Sequence, residues 1–208
     1  MFERPISGIL RAVGAIRRGH FVYTSGLHGD TYIDKRAIYH YKTAVAKLCE
    51  EMASRFADTN IEVVIGPEQG AITLANQVSR LLSKEHRHVA VVHAKKDGNG
   101  GFRIQPTDIP FVRGKRVLIV EDVITTGSSL KKVVEVTRVV GGEMIGAISI
   151  VNRGKVRASD VGDIPILHHL LWLELEAYPP ETCQLCRRGI PINTDVGHGK
   201  EFLARKNS

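Results

Sequence analysis

Residues 117–129 read VLIVEDVITTGSS, a run in which chemistry-bearing side chains follow directly on apolar ones. Val117, Leu118, Ile119 and Val120 predict a buried central strand, with Glu121 and Asp122 at its C-terminal end. Thr125, Thr126, Gly127, Ser128 and Ser129 then lead into a helix around Leu130. In open α/β sheets ligands bind beyond the carboxyl ends of the strands, where a turn presents backbone N–H groups at a helix N-terminus. Such a turn, carrying hydroxyls and a glycine that lets the backbone come close, cradles a phosphate monoester. The two carboxylates just upstream accept hydrogen bonds from adjacent sugar hydroxyls, so one unit takes both ends of a ribose 5-phosphate. A helix cap alone would account for the Thr and Ser residues. It leaves the paired acids behind four apolar residues unexplained. Neither the G-x-x-x-x-G-K-[ST] loop nor the dinucleotide G-x-G-x-x-G pattern occurs in the chain.

The elements that must position this run follow from periodicity. Val45, Leu48, Cys49, Met52 and Phe56 share a helical face, and Ile72, Ala75, Val78 and Leu82 mark a second helix. Glu62–Ile65 reads as a buried strand stopping at Gly66-Pro67, and His88–Val92 and Arg116–Val120 as further strands. Leu130, Val133, Val134 and Thr137 define a helix stopped by Gly141-Gly142, and Met144–Val151 is another β-rich run. Repeated strand–helix–strand order predicts an α/β fold with a central, mostly parallel sheet flanked by helices. Asp97–Pro110 is rich in Gly and Pro and reads as a long mobile loop, of a length that is usually functional or disordered. The tail from Tyr178 onward reads as irregular, and no internal repeat or linker is visible.

The 208 residues suit a single domain over 1–208, with about 1–40 and 165–208 as a small hood and tail. A formal charge of +7, from 29 basic against 22 acidic residues, suits a polyanionic ligand. The basic residues are scattered without aromatic interleaving, which fits a phosphorylated metabolite at least as well as nucleic acid. No apolar run reaches the roughly 18 residues of a membrane span. Glu3, Arg4 and Arg11 interrupt the N-terminal stretch, so it does not read as a signal peptide. Three cysteines argue against a disulfide framework, and a cytoplasmic location is expected.

The run Glu121–Ser129, Val123 included, closely resembles the phosphoribosyl pyrophosphate (PRPP) motif of the type I phosphoribosyltransferases. Further segments over about residues 10–155 resemble orotate phosphoribosyltransferase. Phe21–Asp34 is similar to an early stretch beside base and PRPP, which implies base contacts from Ser25, Gly26 and Tyr32, with Thr125 and Arg153 beside them. Glu68, Gln69 and Gly70 fall where the family's pyrophosphate-binding loop follows a strand, and Lys95-Lys96-Asp97 opens a segment similar to its mobile catalytic loop. The chain departs from the family pattern at Thr24, usually Lys, at Gly98, usually His, and at Gln69-Gly70, where a basic residue is usual.

The resemblance implies Mg²⁺-dependent transfer of ribose 5-phosphate from PRPP to a base, most readily orotate, with pyrophosphate released. It implies Lys96, or else Lys95, stabilising the departing pyrophosphate, Asp122 acting at the ribose, and a homodimer. Transfer to another pyrimidine or a purine is the alternative within enzymes. A PRPP-sensing regulator is the alternative outside them, although too few residues precede Phe21 for a winged helix. Separately, Cys183-Gln-Leu-Cys186 has the spacing of half a structural zinc site, with His198 and the His168-His169 pair as completing candidates and reduced, packed cysteines as the other reading.

Overall fold

The computed structural model describes residues 3–84 and 88–206; Met1 and Phe2 of the N-terminal stretch lie outside them. The chain divides into two compact units, one built from residues 3–44 with 174–206 and the other from Val45–Leu173.

The larger unit is a sheet with helices. Its strands are β3 (Val63–Pro67), β4 (Ala90–Lys96), β5 (Phe102–Arg103), β6 (Arg116–Ile124), β7 (Glu143–Asn152) and β8 (Leu167–Trp172), in the spatial order β5-β4-β3-β6-β7-β8. Neighbours pair in parallel except β4 and β5, which are antiparallel. The chain passes from β3 to β4 on one side, then crosses to β6 on the other. The strand order therefore reverses between β3 and β6, and a ligand crevice belongs at their carboxyl ends. Helix α4 spans Ile72–Leu82, the span its periodicity predicts, and buries Leu74, Val78 and Leu82. Each such side chain contributes about 1.5–3 kcal/mol of burial. Helix α6 (Ser128–Val139) buries Leu130, Val133 and Val134 against Val117, Ile119 and Ile124 of β6, with Val63 and Ile65 of β3 in the same core. The face of α3 (Lys42–Ser54) carries Val45, Leu48, Cys49 and Met52, all buried, and burial pushes the Cys49 thiol up to about 12.

Three expectations are corrected here. β3 continues through Gly66-Pro67, and β6 continues past Val120 to Ile124, so Glu121 and Asp122 lie within the C-terminal half of the strand rather than at its last residues. Pairing extends them: the Glu68 N–H donates to the Ala94 carbonyl (2.9 Å), and β6 keeps register with β7 out to Ile124↔Asn152. The strand expected at His88–Val92 lies later, at Ala90–Lys96. Asp97–Pro110 is also more ordered than a long loop. β5 folds back on β4 with Lys95↔Arg103 and Lys96↔Phe102, and the short helix α5 (Ile109–Val112) follows. Asp97 closes the turn by accepting the N–H groups of Asn99 and Gly101 at 2.8 Å each, bonds that hold its carboxyl below the usual carboxylate range.

In the smaller unit α1 (Glu3–Ala12) precedes an antiparallel pair, β1 (Ile16–Val22) and β2 (His28–Ile33), and α2 (Lys35–Tyr39) follows. The C-terminal segment contains α7 (Gln184–Arg187) and α8 (Gly199–Lys206), so it is more regular than its composition predicts. It pairs with the hairpin through the bridges His28↔Tyr178 and His20↔Ile192. No helix among the described residues is long and apolar enough to cross a membrane.

Candidate active site

At the end of β3 the chain turns sharply over Glu68-Gln69-Gly70 before α4. A Cβ on Gly66 would lie 2.7 Å from the Ala71 carbonyl oxygen and 2.9 Å from the Ala75 Cβ, so only glycine lets the start of α4 sit this close to the strand. The Glu68–Gln69 peptide is cis. Gln69 is exposed, and the Glu68 carboxylate lies 4.0 Å from the Lys95 ammonium. Lys95 is thereby tied to this turn. Successive strand residues face opposite ways, and the exposed Lys96 points away from Lys95's side of β4.

At the end of β6, Glu121 and Asp122 are buried and each holds a backbone donor. Glu121 Oε1 accepts the Asp122 N–H at 2.9 Å, and Asp122 Oδ1 accepts the Val123 N–H at 2.7 Å. These bonds fix both carboxylates before any ligand arrives. The hydroxyl residues Thr125, Thr126, Ser128 and Ser129 are exposed around a buried Gly127. Gly127 has φ +75°, and a Cβ there would meet Val156 and Val161 at 2.8 Å each, so position and conformation both require glycine. α6 starts immediately after it, and the Ser128 N–H donates to Thr126 Oγ1 at 3.3 Å, so the N–H groups of the first turn lie against the Thr/Ser turn, the arrangement that attracts a phosphate.

Arg153 joins this turn: its Nε donates to Thr125 Oγ1 at 2.9 Å, and its backbone N–H donates to the Ile124 carbonyl at 2.9 Å. Two residues that hold it there are missed by motif reasoning. Asn152, fully buried, accepts the N–H groups of Gly154 (3.2 Å) and Val156 (3.3 Å) and donates to the Val156 carbonyl (2.8 Å), closing the turn that carries Arg153. At Gly154 a Cβ would lie 1.4 Å from the Thr125 carbonyl oxygen. The Asn-Arg-Gly order after an apolar strand was the available signal, since a glycine at a strand end marks a close backbone approach. Ser25, Gly26 and Tyr32 lie in the smaller unit, where Tyr32 lines a cleft of about 570 Å³ with Arg17, Asp34 and Lys35. Thr24 accepts or donates a 3.2 Å bond with His198 Nε2 there.

A mostly parallel sheet with a strand-order reversal, a paired-acid strand end and a Thr/Ser/Gly turn opening a helix defines a phosphoribosyltransferase-class protein. The family model described as phosphoribosyl transferase domain matches residues 36–164. Curated relatives are more particular. Orotate phosphoribosyltransferase of Caldicellulosiruptor bescii is 37% identical over 88% of this chain and 92% of its own, and that of Pelotomaculum thermopropionicum is 38% identical over 92% and 95%. The chain belongs to the orotate phosphoribosyltransferase family. Among solved structures, Mycobacterium tuberculosis orotate phosphoribosyltransferase in complex with inorganic phosphate superposes with TM-score 0.66 at 26% identity, covering 82% of this chain and 95% of that one.

Proposed function

We propose that this protein transfers ribose 5-phosphate from PRPP to orotate, giving orotidine 5′-phosphate and pyrophosphate for pyrimidine nucleotide synthesis. The observation that carries the reading is the Glu121–Ser129 strand end with Arg153 hydrogen-bonded to Thr125 inside the same turn. The Thr/Ser turn takes the 5′-phosphate, and Glu121 and Asp122 accept the ribose hydroxyls. Glu68, Gln69 and Gly70 take the pyrophosphate. Ser25, Gly26, Tyr32 and Thr125 take the base, as the family resemblance assigns them, and Arg153 pairs with its carboxylate. A ring nitrogen of the base forms the new bond to the anomeric carbon as the bond to pyrophosphate breaks, through an oxocarbenium-like transition state. Positioning and charge stabilisation supply the acceleration. The oxygen donors at the β6 end suit a hard cation, and Mg²⁺ carried by the pyrophosphate would neutralise leaving-group charge when bound. We place the reaction in the cytoplasm and in a homodimer, as the family resemblance implies.

Arg153 tests the base. A guanidinium pairs with a carboxylate bidentately, which a neutral base cannot reproduce. Losing a buried charged partner costs about 2–5 kcal/mol, and because Arg153 is only half-buried the lower end applies, roughly 30-fold in KM for orotate. Arg153→Ala should remove the preference for orotate over uracil and spare PRPP binding. A wild-type protein that uses uracil or a purine as readily as orotate would overturn the acidic-base reading.

The two lysines are separable as well. Lys96→Ala should lower kcat far more than it raises the KM for PRPP, the signature of a group acting in the transition state. Lys95→Ala, which releases Glu68 in the pyrophosphate turn, should raise the KM for PRPP instead. The reverse pattern would give the transition-state role to Lys95.

A further inference from the structure

The Cys-x-x-Cys of the tail is completed by neither of the partners its sequence suggested. His198 bonds to Thr24, while His168 packs on Phe56 and His169 on Trp172 in the other unit. Instead Cys183 and Cys186 meet His20 and His28 of the β1–β2 hairpin, and the four ligand atoms lie within 4.8 Å of one another. Sequence separations of 158–166 residues put this pairing beyond any local pattern.

The geometry is that of a metal site. His20 Nε2 lies 3.7 Å from each sulfur and 2.8 Å from His28 Nδ1, and Cys186 Sγ lies 3.3 Å from His28 Nδ1. Tetrahedral zinc, with bonds of about 2.0–2.1 Å to nitrogen and 2.3 Å to sulfur, places its ligand atoms about 3.3–3.8 Å apart. The two nitrogens, 2.8 Å apart, would separate by about half an ångström on that geometry, and the whole set lies within 4.8 Å. His20 Nδ1 lies 2.7 Å from the Ile190 carbonyl oxygen. A carbonyl only accepts, so Nδ1 carries the proton and the Nε2 lone pair points at the cluster, the supporting contact that metal-bound histidines use.

The backbone is built to hold the four together. The β1–β2 register shifts between Arg18 and Phe21, a bulge that re-aims His20 relative to a regular strand. Paired N–H···O bonds between His28 and Tyr178 (2.7 and 2.8 Å), and one from the Asn193 N–H to the His20 carbonyl (2.7 Å), fix the tail against the hairpin on both sides of the cysteines. Cys183, His20 and His28 are buried, and Cys186 is the most open of the four. No disulfide joins the two cysteines.

We infer that His20, His28, Cys183 and Cys186 form a structural zinc site that fastens the C-terminal segment to the β1–β2 hairpin. Four protein ligands leave no open position, so the metal is structural rather than catalytic. The site shares no residue with the PRPP-binding turn and stands whether or not orotate is the substrate.

The test uses the full chain, purified under reducing conditions and loaded with zinc or cobalt. One zinc per chain is expected by elemental analysis, with a Tm drop of about 10 °C on removal by a strong chelator. The cobalt form should show the intense visible bands of a tetrahedral ion with thiolate-to-cobalt charge transfer. Cys186→Ser should lose the metal, and Cys49→Ser, whose buried thiol lies outside the cluster, should keep it. Zinc well below one equivalent in the folded wild type, a cobalt spectrum without thiolate bands, or a Cys183–Cys186 disulfide in the reduced preparation would each overturn the site. If Cys186→Ser does not fold, the wild-type cobalt spectrum decides.

Discussion

Gly154→Ala should lower kcat/KM for PRPP by about 100-fold or more, because a displacement near 1 Å in a positioning element typically costs that much. A Cβ at this position would sit 1.4 Å from the Thr125 carbonyl oxygen, 2.5 Å from its carbonyl carbon and 3.2 Å from its Cα. All three are backbone atoms, so no side-chain rotation relieves the overlap. Either the Thr125–Ser129 turn moves, or the Asn152–Val156 turn does. The Arg153 N–H bond to the Ile124 carbonyl and the Arg153–Thr125 side-chain bond couple the two, so both routes displace the same contacts. The stability cost should be about 1–3 kcal/mol, the usual range for overpacking, which leaves a folded protein to assay. Gly8→Ala is the control. Gly8 lies in α1 with nothing within 4 Å of an added Cβ, and the substitution should stabilise by about 0.5–1 kcal/mol without altering turnover. A Gly154→Ala protein with wild-type kcat/KM would mean that this close approach does not position the turn.

How much of this was legible in advance depends on how local each signal is. Val117–Ser129 could be read directly, because four apolar residues, two acids and a Thr/Ser/Gly turn are contiguous and the structure keeps them so. The span of α4 followed from Ile72, Ala75, Val78 and Leu82 because one buried face fixes a helical period. Strand ends were read short, since Gly66-Pro67 and Glu121-Asp122 are poor strand formers that gain their strand geometry from pairing with β4 and β7. The Asp97–Pro110 hairpin was hidden by its glycines, whose turn is held by the Asp97 carboxylate and by Lys132, which donates to the Gly100 carbonyl from α6. His20 and His28 carried no signal of their own. Their role exists only where a bulged hairpin meets a segment more than 150 residues further on, and no spacing rule spans that distance.

Asp122→Asn should weaken PRPP binding by about 10- to 100-fold, from loss of a charged acceptor whose hydrogen bonds are worth about 1.5–3 kcal/mol. The substitution is isosteric, and the amide oxygen can still accept the Val123 N–H that Asp122 Oδ1 now holds at 2.7 Å, so the strand end keeps its shape. The charge is removed and the second carboxylate oxygen becomes an amide donor, so the loss falls on a ligand that donates hydroxyls. Glu121→Gln is the informative companion. Neighbouring residues of a strand face opposite ways, and Asp122 is fully enclosed whereas Glu121 retains 9% exposure. If both acids hold the ribose, both variants lose affinity. If Glu121→Gln alone binds PRPP more weakly by calorimetry while a folded Asp122→Asn protein does not, Asp122 only braces the Val123 backbone and Glu121 holds the sugar. If neither does, the paired acids are not the ribose site, and the assignment of this turn to PRPP fails with them.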